Sequence, residues 1–551
     1  MRFNHPAKFG IVAFCLILCN VIASNNCYGQ ATYLPLNRDL NGFFDAELNR
    51  NDFTAHSAIR PYLYAEVNEV IDIDSVFYRA RSLYSYVELD SGKYGIVFPA
   101  RHRKEYNGSA DMWDSRNIRI VAGPLLSVNG GYDVASSKTI SGSSLGAIIT
   151  AGFGKKLAVS GSWQTGNSAF LPYVDAAIST SEVVPGRGYA HCSKEGYFYS
   201  NYAGYISYSP DEIFNFQLGQ GKNFFGNGYR SLLLSDNTNN YPYLKISTKI
   251  WKLKYVNLYT IMNDVHGSGG IPTRFTRKYA TFHYLSWNIT KGISIGLFES
   301  IVWQGKDSSG TRGYDVNYLN PIIFYRPVEF AQGSSDNALI GLNLSIRFLK
   351  NQQLYGQLIL DEFLLRELRA QSGWWANKHG FQLGLKSYNL FKVKGLSLQT
   401  EFNYVRPFTY SHGLYSQNYS HFNQALAHPL GANFYESVSF LKYQQGSFLV
   451  EGKFSYALKG KDSNGSNWGG DIFLDYQTVR SREFENEIAQ GDQNHISYID
   501  LRFAYILLPE LNLRLEAGIS NRLLRAQGIT TQVNFIYLGL STSLSNVYHD
   551  F

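Results

Sequence analysis

The sequence predicts an all-β chain, a transmembrane antiparallel β-barrel of about 18 (18–20) strands with a small N-terminal periplasmic segment. Three observations predict it. First, of 551 residues only 17% are charged and 15% are aromatic, with 41 Tyr, 36 Phe and 50 Gly. A soluble protein carries about 25% charge, and a disordered chain needs more charge and fewer aromatics. Second, segments of about ten residues alternate apolar and polar with period two. Third, very short turns alternate with long polar connections. After the first thirty residues no apolar run approaches the roughly 20 residues of a spanning helix.

Residues 1–29 read as a cleaved export signal. Arg2 and Lys8 precede an apolar core from Phe9 to Cys19, and Cys27-Tyr28-Gly29 ahead of Gln30 offers small residues for cleavage. The core is short for an anchor, and Ser24-Asn25-Asn26 lacks the residues expected before a lipid-modified Cys27. Cleavage leaves Cys192 alone, so no intrachain disulfide and no cysteine metal cluster is expected. The formal charge of +7 falls to +5 without Arg2 and Lys8, too mild for a nucleic-acid binder. Residues 30–110 alternate poorly and read as a periplasmic segment or plug. A helix is expected over 37–53 and a strand or second helix over 59–74. Arg101-His-Arg-Lys-Glu105 reads as a solvated linker.

Residues 111–551 read as the barrel. Ile340, Leu342, Leu344, Ile346 and Phe348 oppose Gly341, Asn343, Ser345 and Arg347; 214–218, 244–250, 396–404 and 511–519 repeat the pattern. Short turns fall at 153–156, 209–212, 290–292, 350–352, 444–446 and 508–510. Long segments cover 164–197, 220–242, 263–278, 304–337, 364–379 and 407–435. An even strand count also calls for a strand near 482–487. A soluble sandwich would bury the apolar face; a barrel turns it to lipid and keeps a polar lumen. The final Phe551 matches the terminal aromatic common in such barrels. Alternation places Lys245, Lys249, Arg347, Asp361, Glu401, Arg502, Arg514 and Glu516 on the lumen face, as ion pairs across the wall or as the lining of a solute path.

Catalytic motifs are weak. Gly219-Gln-Gly221-Lys222 lacks the Gly-Lys-Ser/Thr ending of a phosphate loop. Ser144 and Ser294 sit in Gly-x-Ser-x-Gly strings without a strand–turn–helix context. Asp462 to Ser466 lacks the later bidentate Glu of a calcium loop. His379, His412, His421 and His428 fall in expected external loops, exposed to solvent, with no metal-ligand spacing. No catalytic, metal or cofactor site is expected. The loop at 364–380 is more informative. It carries adjacent Trp374 and Trp375 with Arg366, Arg369, Lys378 and His379. Exposed tryptophans are costly unless they are buried or bind something, and aromatic faces beside cations suit acidic sugars. A girdle at the membrane interface, or packing within the loop, is the alternative.

Three stretches resemble the capsule-assembly family of Wzi type. They are Gly219 to Asn237 followed by Tyr241-Pro-Tyr-Leu244, Leu319 to Glu329 continuing through 337–343, and Leu354 to Phe363. The matching residues are Gly221, Arg230, Ser231, Asp236, Asn320, Pro321, Arg326, Asn337, Asp361 and Glu362. The resemblance implies an 18-stranded outer-membrane barrel with a small periplasmic helical part, which holds or organises surface polysaccharide. The length and His56-Ser-Ala-Ile-Arg-Pro61 resemble the gliding-motility (RemB-type) branch. The expected partners are therefore outer-membrane lipid, surface polysaccharide and gliding or secretion machinery, in the outer membrane of a Gram-negative bacterium. The competing class is a porin or transport channel.

Overall fold

The computed structural model describes residues 31–50, 54–73, 76, 118–307, 310–324, 336–463, 465–477 and 479–551. The export signal, the charged stretch at 101–105 and Arg326 lie outside the described residues.

Eighteen strands form the wall: β1 (Ile118–Asp133), β2 (Lys138–Phe153), β3 (Leu157–Ser168), β4 (Gly196–Tyr208), β5 (Phe214–Gly221), β6 (Tyr241–Ile250), β7 (Leu253–Asp264), β8 (Thr276–Asn288), β9 (Ile293–Gln304), β10 (Asn337–Phe348), β11 (Gln352–Leu360), β12 (His379–Tyr388), β13 (Leu396–Val405), β14 (Phe434–Gln445), β15 (Phe448–Lys461), β16 (Asp492–Leu508), β17 (Leu513–Ala526) and β18 (Ile529–Thr542). Each pairs antiparallel with its sequence neighbours. β1 closes on β18, from Ser127 opposite Ser541 to Asp133 opposite Phe535. No strand forms over 482–487, and the even count is complete without one.

The wall is inside-out relative to a soluble protein. In β10, Asn343, Ser345 and Arg347 are buried while Leu342 and Phe348 are exposed. In β13, Glu401 and Asn403 are buried and Phe402 is exposed; in β17, Arg514 is buried and Leu515 and Ile519 are exposed. This is period-two alternation with apolar side chains outward. Every connection at one end is short: 154–156, 209–213, 251–252, 289–292, 349–351, 389–395, 446–447 and 509–512. At the other end 169–195, 222–240, 265–275, 305–336, 361–378, 406–433 and 462–491 are long. The last of these was not read from the sequence.

Residues 31–50 and 54–73 sit across the short-turn end. α1 (Arg38–Asn41), α2 (Asp45–Leu48) and α3 (Tyr64–Asn68) are single turns, so the helix expected over 37–53 breaks in two. The Asn37 side chain caps α1, accepting from Leu40 N at 3.0 Å. Leu40, Phe44, Leu48, Tyr62, Tyr64 and Val67 form a small core of their own. Helices this short do not persist alone; packing on the lumen holds them.

The tail after β18 turns back into the barrel. Phe551 ends no strand, which corrects its reading as a strand-terminal aromatic. Its backbone oxygen accepts from Arg522 Nε at 3.0 Å, and its ring meets Tyr173 edge-on at 6.0 Å. Arg522 lies toward the long-loop end of β17, and Tyr173 lies on α4 (Pro172–Ser181) in a long loop. Residues 543–551 therefore run the length of the lumen.

Candidate functional site

An 18-stranded wall encloses more room than its own side chains can fill. Here chain fills it. The connection between β5 and β6, 222–240, plunges inward and is almost wholly buried. Phe224 and Phe225 pair as a short ladder with Arg60 and Ile59 of the N-terminal segment. Phe225 stacks on Tyr284 of the wall at 4.7 Å. The wall answers this segment's backbone: Gln357 accepts from Leu232 N at 2.8 Å and donates to Phe225 O at 3.0 Å. Glu401 accepts from Tyr229 N and Arg230 N at 2.8 and 3.1 Å. The loop 406–433 folds down on top, with the Tyr410 hydroxyl on Leu232 O at 2.7 Å.

At the centre stands Arg230, fully buried. Its guanidinium pairs with Glu436 at 2.8 Å and with Asp550 of the tail at 2.9 Å. His428 binds the same Glu436 at 2.7 Å, and Lys453 reaches Asp550. The tail is tied again at Asp236, which accepts from Tyr548 and Asn546, each at 2.7 Å. Two β-strands, two inserted loops and the tail thus share one ionic knot. Such a knot fixes geometry more than it adds stability, but removing one partner strands a buried charge. Two cavities beside the N-terminal segment measure about 40 and 20 Å³, room for a few waters.

The residues assigned to the lumen pair mostly with inserted chain, not with one another across the wall. Lys245 stands 4.2 Å over the Tyr33 ring and near Asn223, and Lys249 pairs with Glu69 at 3.1 Å. Arg347 donates to Leu48 O at 3.3 Å. Arg502 and Arg514 both clamp Asp39 of α1; Arg502 also holds Glu451, and Arg514 holds Glu516 at 2.8 Å. Asp361 accepts from Tyr410 N at 2.8 Å.

The family-motif residues separate. Gly221 ends β5, and Arg230, Ser231 and Asp236 belong to the lumen segment. Asn337 opens β10 and donates to Gln417 O at 2.9 Å, tying down the loop 406–433. Glu362 pairs with Lys378 at 2.9 Å. Asn320 and Pro321 lie elsewhere, on the outside of the barrel. Segment 310–324 lies as a strap over the outer face of β7–β9. Tyr259 donates to Leu319 O at 3.0 Å, Thr281 to Tyr318 O at 3.2 Å, Trp303 to Gly313 O at 3.3 Å, and Tyr255 to Pro321 O. Beneath it lies a polar row in register, Asn257, His283 and Glu299. Phe282, Tyr284 and Phe298 face the lumen core, so His283 and Glu299 face outward. His283 Nδ1 meets Glu299 at 3.1 Å, and Phe324 N donates to Glu299 at 2.9 Å.

At the long-loop end, Trp374 and Trp375 are half-buried, 6.2 Å apart and edge-to-face. Both indole N–H groups donate to Glu483 at 3.1 Å, and Arg480 sits 4.2 Å over the Trp375 ring. Tyr476 packs against the same ring at 4.6 Å. Burial opposes the Glu483 charge, but the two indole bonds and Arg480 outweigh it and hold its pKa below the ordinary carboxylate value. Lys378 is fully buried, donating to Ser411 O at 3.2 Å and lying 4.2 Å over Tyr476. This corrects its placement on a binding face. The β11–β12 ladder runs on through Asp361 N to Lys378 O and Lys378 N to Glu362 O, which turns the side chain inward. Arg366 and Arg369 stay exposed on a separate helical turn, α5 (Leu365–Arg369). The four histidines read as exposed are not. His421 and His428 are buried under inward-folded loops, and His379 and His412 are half-buried.

Reading the sequence missed Arg480, Glu483 and Tyr476, because a strand was expected inside their loop. It also missed the outer polar row. Glu299 interrupts the apolar face Ile293, Ile295, Leu297, Ile301 and Trp303, and that break was the available signal.

No family model and no curated protein sequence matches the chain. Among solved structures, the Escherichia coli outer-membrane protein Wzi is described as a carbohydrate-binding β-barrel involved in group 1 capsule assembly. It superposes with a TM-score of 0.55 at 12% identity, over 94% of this chain and 100% of that one. Two Pseudomonas aeruginosa outer-membrane proteins also match. OprD does so with a TM-score of 0.41 at 11% identity over 76% of this chain and 94% of its own. OpdK does so with 0.43 at 8% identity over 77% and 98%. What this chain shares with Wzi is the fold of an outer-membrane β-barrel.

Proposed function

We propose that this protein sits in the outer membrane, long loops outward and residues 31–73 in the periplasm, and binds or holds cell-surface polysaccharide without catalysing a reaction. The observation that carries this is the filled lumen. With 222–240, 406–433 and the tail 543–551 knotted around Arg230, the barrel offers a surface in place of a path. A transport channel would need that knot to open. The surface it offers includes Trp374 and Trp375, pre-set by Glu483 and Arg480. Aromatic faces stack on sugar rings, while the cations beside this pair are already taken by carboxylates, Arg480 by Glu483 and Lys378 by Glu362 at 2.9 Å. The fold shared with a carbohydrate-binding barrel adds support by analogy.

A part in gliding motility or secretion is no element of this proposal. The His56–Pro61 stretch is occupied in closing the barrel: His56 bonds Ser286 at 2.9 Å, Ser57 accepts from Asn227 at 2.9 Å, and Ile59 and Arg60 pair with the lumen segment.

The test is a glycan-binding screen on the refolded barrel, repeated with Trp374→Ala/Trp375→Ala. The expected result is binding of a polysaccharide that weakens about tenfold or more in the variant, with barrel folding unchanged. Equal binding by both proteins removes this loop from the proposal.

A further inference from the structure

The loop joining β11 and β12 carries a second surface, distinct from its tryptophans. Phe363, Leu364, Leu365 and Leu368 are each 40–47% exposed, four large apolar side chains within six residues. Such a run is not left facing water without a reason. α5 sets Leu365 and Leu368 one turn apart on one side, and Arg366 and Arg369 one turn apart beside them. Arg366 is 82% exposed and pairs with Glu367 at 3.0 Å. Glu367 also accepts from the Ser372 hydroxyl at 3.1 Å. Arg369 has no partner among the described residues, and two arginines against one carboxylate leave the turn net positive.

Depth decides what this surface meets. β12 has ten residues, the length of one tilted crossing of the hydrocarbon layer. Phe381 and Leu383 on its outer face are exposed and belong to the apolar belt. The segment from Phe363 to Arg369 therefore leaves the wall where acyl chains give way to headgroups. At that level leucines reach down into hydrocarbon while arginines reach the polar layer. The planar guanidinium fork matches a phosphate through two parallel N–H···O bonds.

We propose that Phe363 through Arg369 is a docking site for a phosphorylated glycolipid of the outer leaflet. The apolar side chains lie on its acyl chains, and Arg366 and Arg369 bind its phosphate. An acidic polysaccharide could satisfy the arginines but not the four apolar neighbours, so the lipid is the better fit.

The experiment is native mass spectrometry of the full-length folded barrel in detergent, titrated with diphosphorylated lipid A and with its dephosphorylated form. Wild type should bind the diphosphorylated lipid about tenfold more tightly than Arg366→Gln/Arg369→Gln. The two proteins should bind the dephosphorylated lipid alike. Trp374→Ala/Trp375→Ala should keep full lipid binding, which separates this site from the sugar-binding proposal. Equal affinity of wild type and the arginine variant for the diphosphorylated lipid overturns the proposal. So does a variant that loses polysaccharide binding and keeps lipid binding, since the arginines would then serve the glycan.

Discussion

Two connections of this barrel leave the rim and travel along the wall, one inside and one outside. Segment 222–240 goes into the lumen, and segment 310–324 lies on the outer face of β7–β9. Both carry irregular backbone at membrane depth, where an unpaired N–H or C=O is costly. Inside, the polar face that alternation provides on every strand supplies partners, as Gln357 and Glu401 do. Outside, alternation provides apolar side chains, so the wall must break its own pattern. Glu299 and the hydroxyls of Tyr255, Tyr259 and Thr281 are that break. A barrel can insert chain into its lumen with ordinary lumen residues. A strap on its outside needs exceptions written into the lipid face.

Either segment can be loosened by a single substitution. The largest effect is expected at the lumen knot. Arg230→Met leaves Glu436 and Asp550 buried without their shared cation, a loss of about 3–5 kcal/mol. Urea unfolding of the refolded variant should shift by that amount, and protease should reach the tail after β18. An unshifted midpoint would mean the knot does not hold the insert.

A smaller effect is expected outside. Glu299→Leu removes the acceptor of Phe324 N and the partner of His283, at about 1–3 kcal/mol. Hydrogen exchange should quicken over 312–324 while the barrel keeps its unfolding midpoint. Glu299→Gln, which keeps an acceptor, should hold the strap down. A global loss of stability in Glu299→Leu would erase the distinction between the two segments.

The smallest effect concerns the loop surface. Glu483 has a lowered pKa in the folded protein, so the hold it gives Trp374 and Trp375 is complete above the unfolded carboxylate value of about 4.3. That hold is lost as pH falls through the depressed folded value. Tryptophan fluorescence should stay constant from neutral pH to about 5 and change only in stronger acid. Glu483→Gln should abolish the acid transition; a transition that survives in it would assign the change to another group.

Much of the wall was legible, because period two in Ile340–Phe348 or Leu511–Ile519 needs only neighbouring residues to show itself. The short turns were legible for the same reason. The path of the long connections was not. Nothing local in Lys222–Asn240 says that it folds inward; that follows from partners such as Glu401, Glu436 and Asp550, far along the chain. His428 was read as exposed because its loop was, yet it lies against Glu436. At the loop surface the paired tryptophans stood out in sequence. Their anchor Glu483, more than a hundred residues later, did not.

The lumen is filled by the protein's own chain, knotted around Arg230. The most direct measurement is ionic current through the purified barrel in a planar lipid bilayer. A closed knot around Arg230 predicts no steady conductance in the wild type and measurable current only once Arg230→Met loosens it. Large, stable, porin-like currents from the wild type would contradict it.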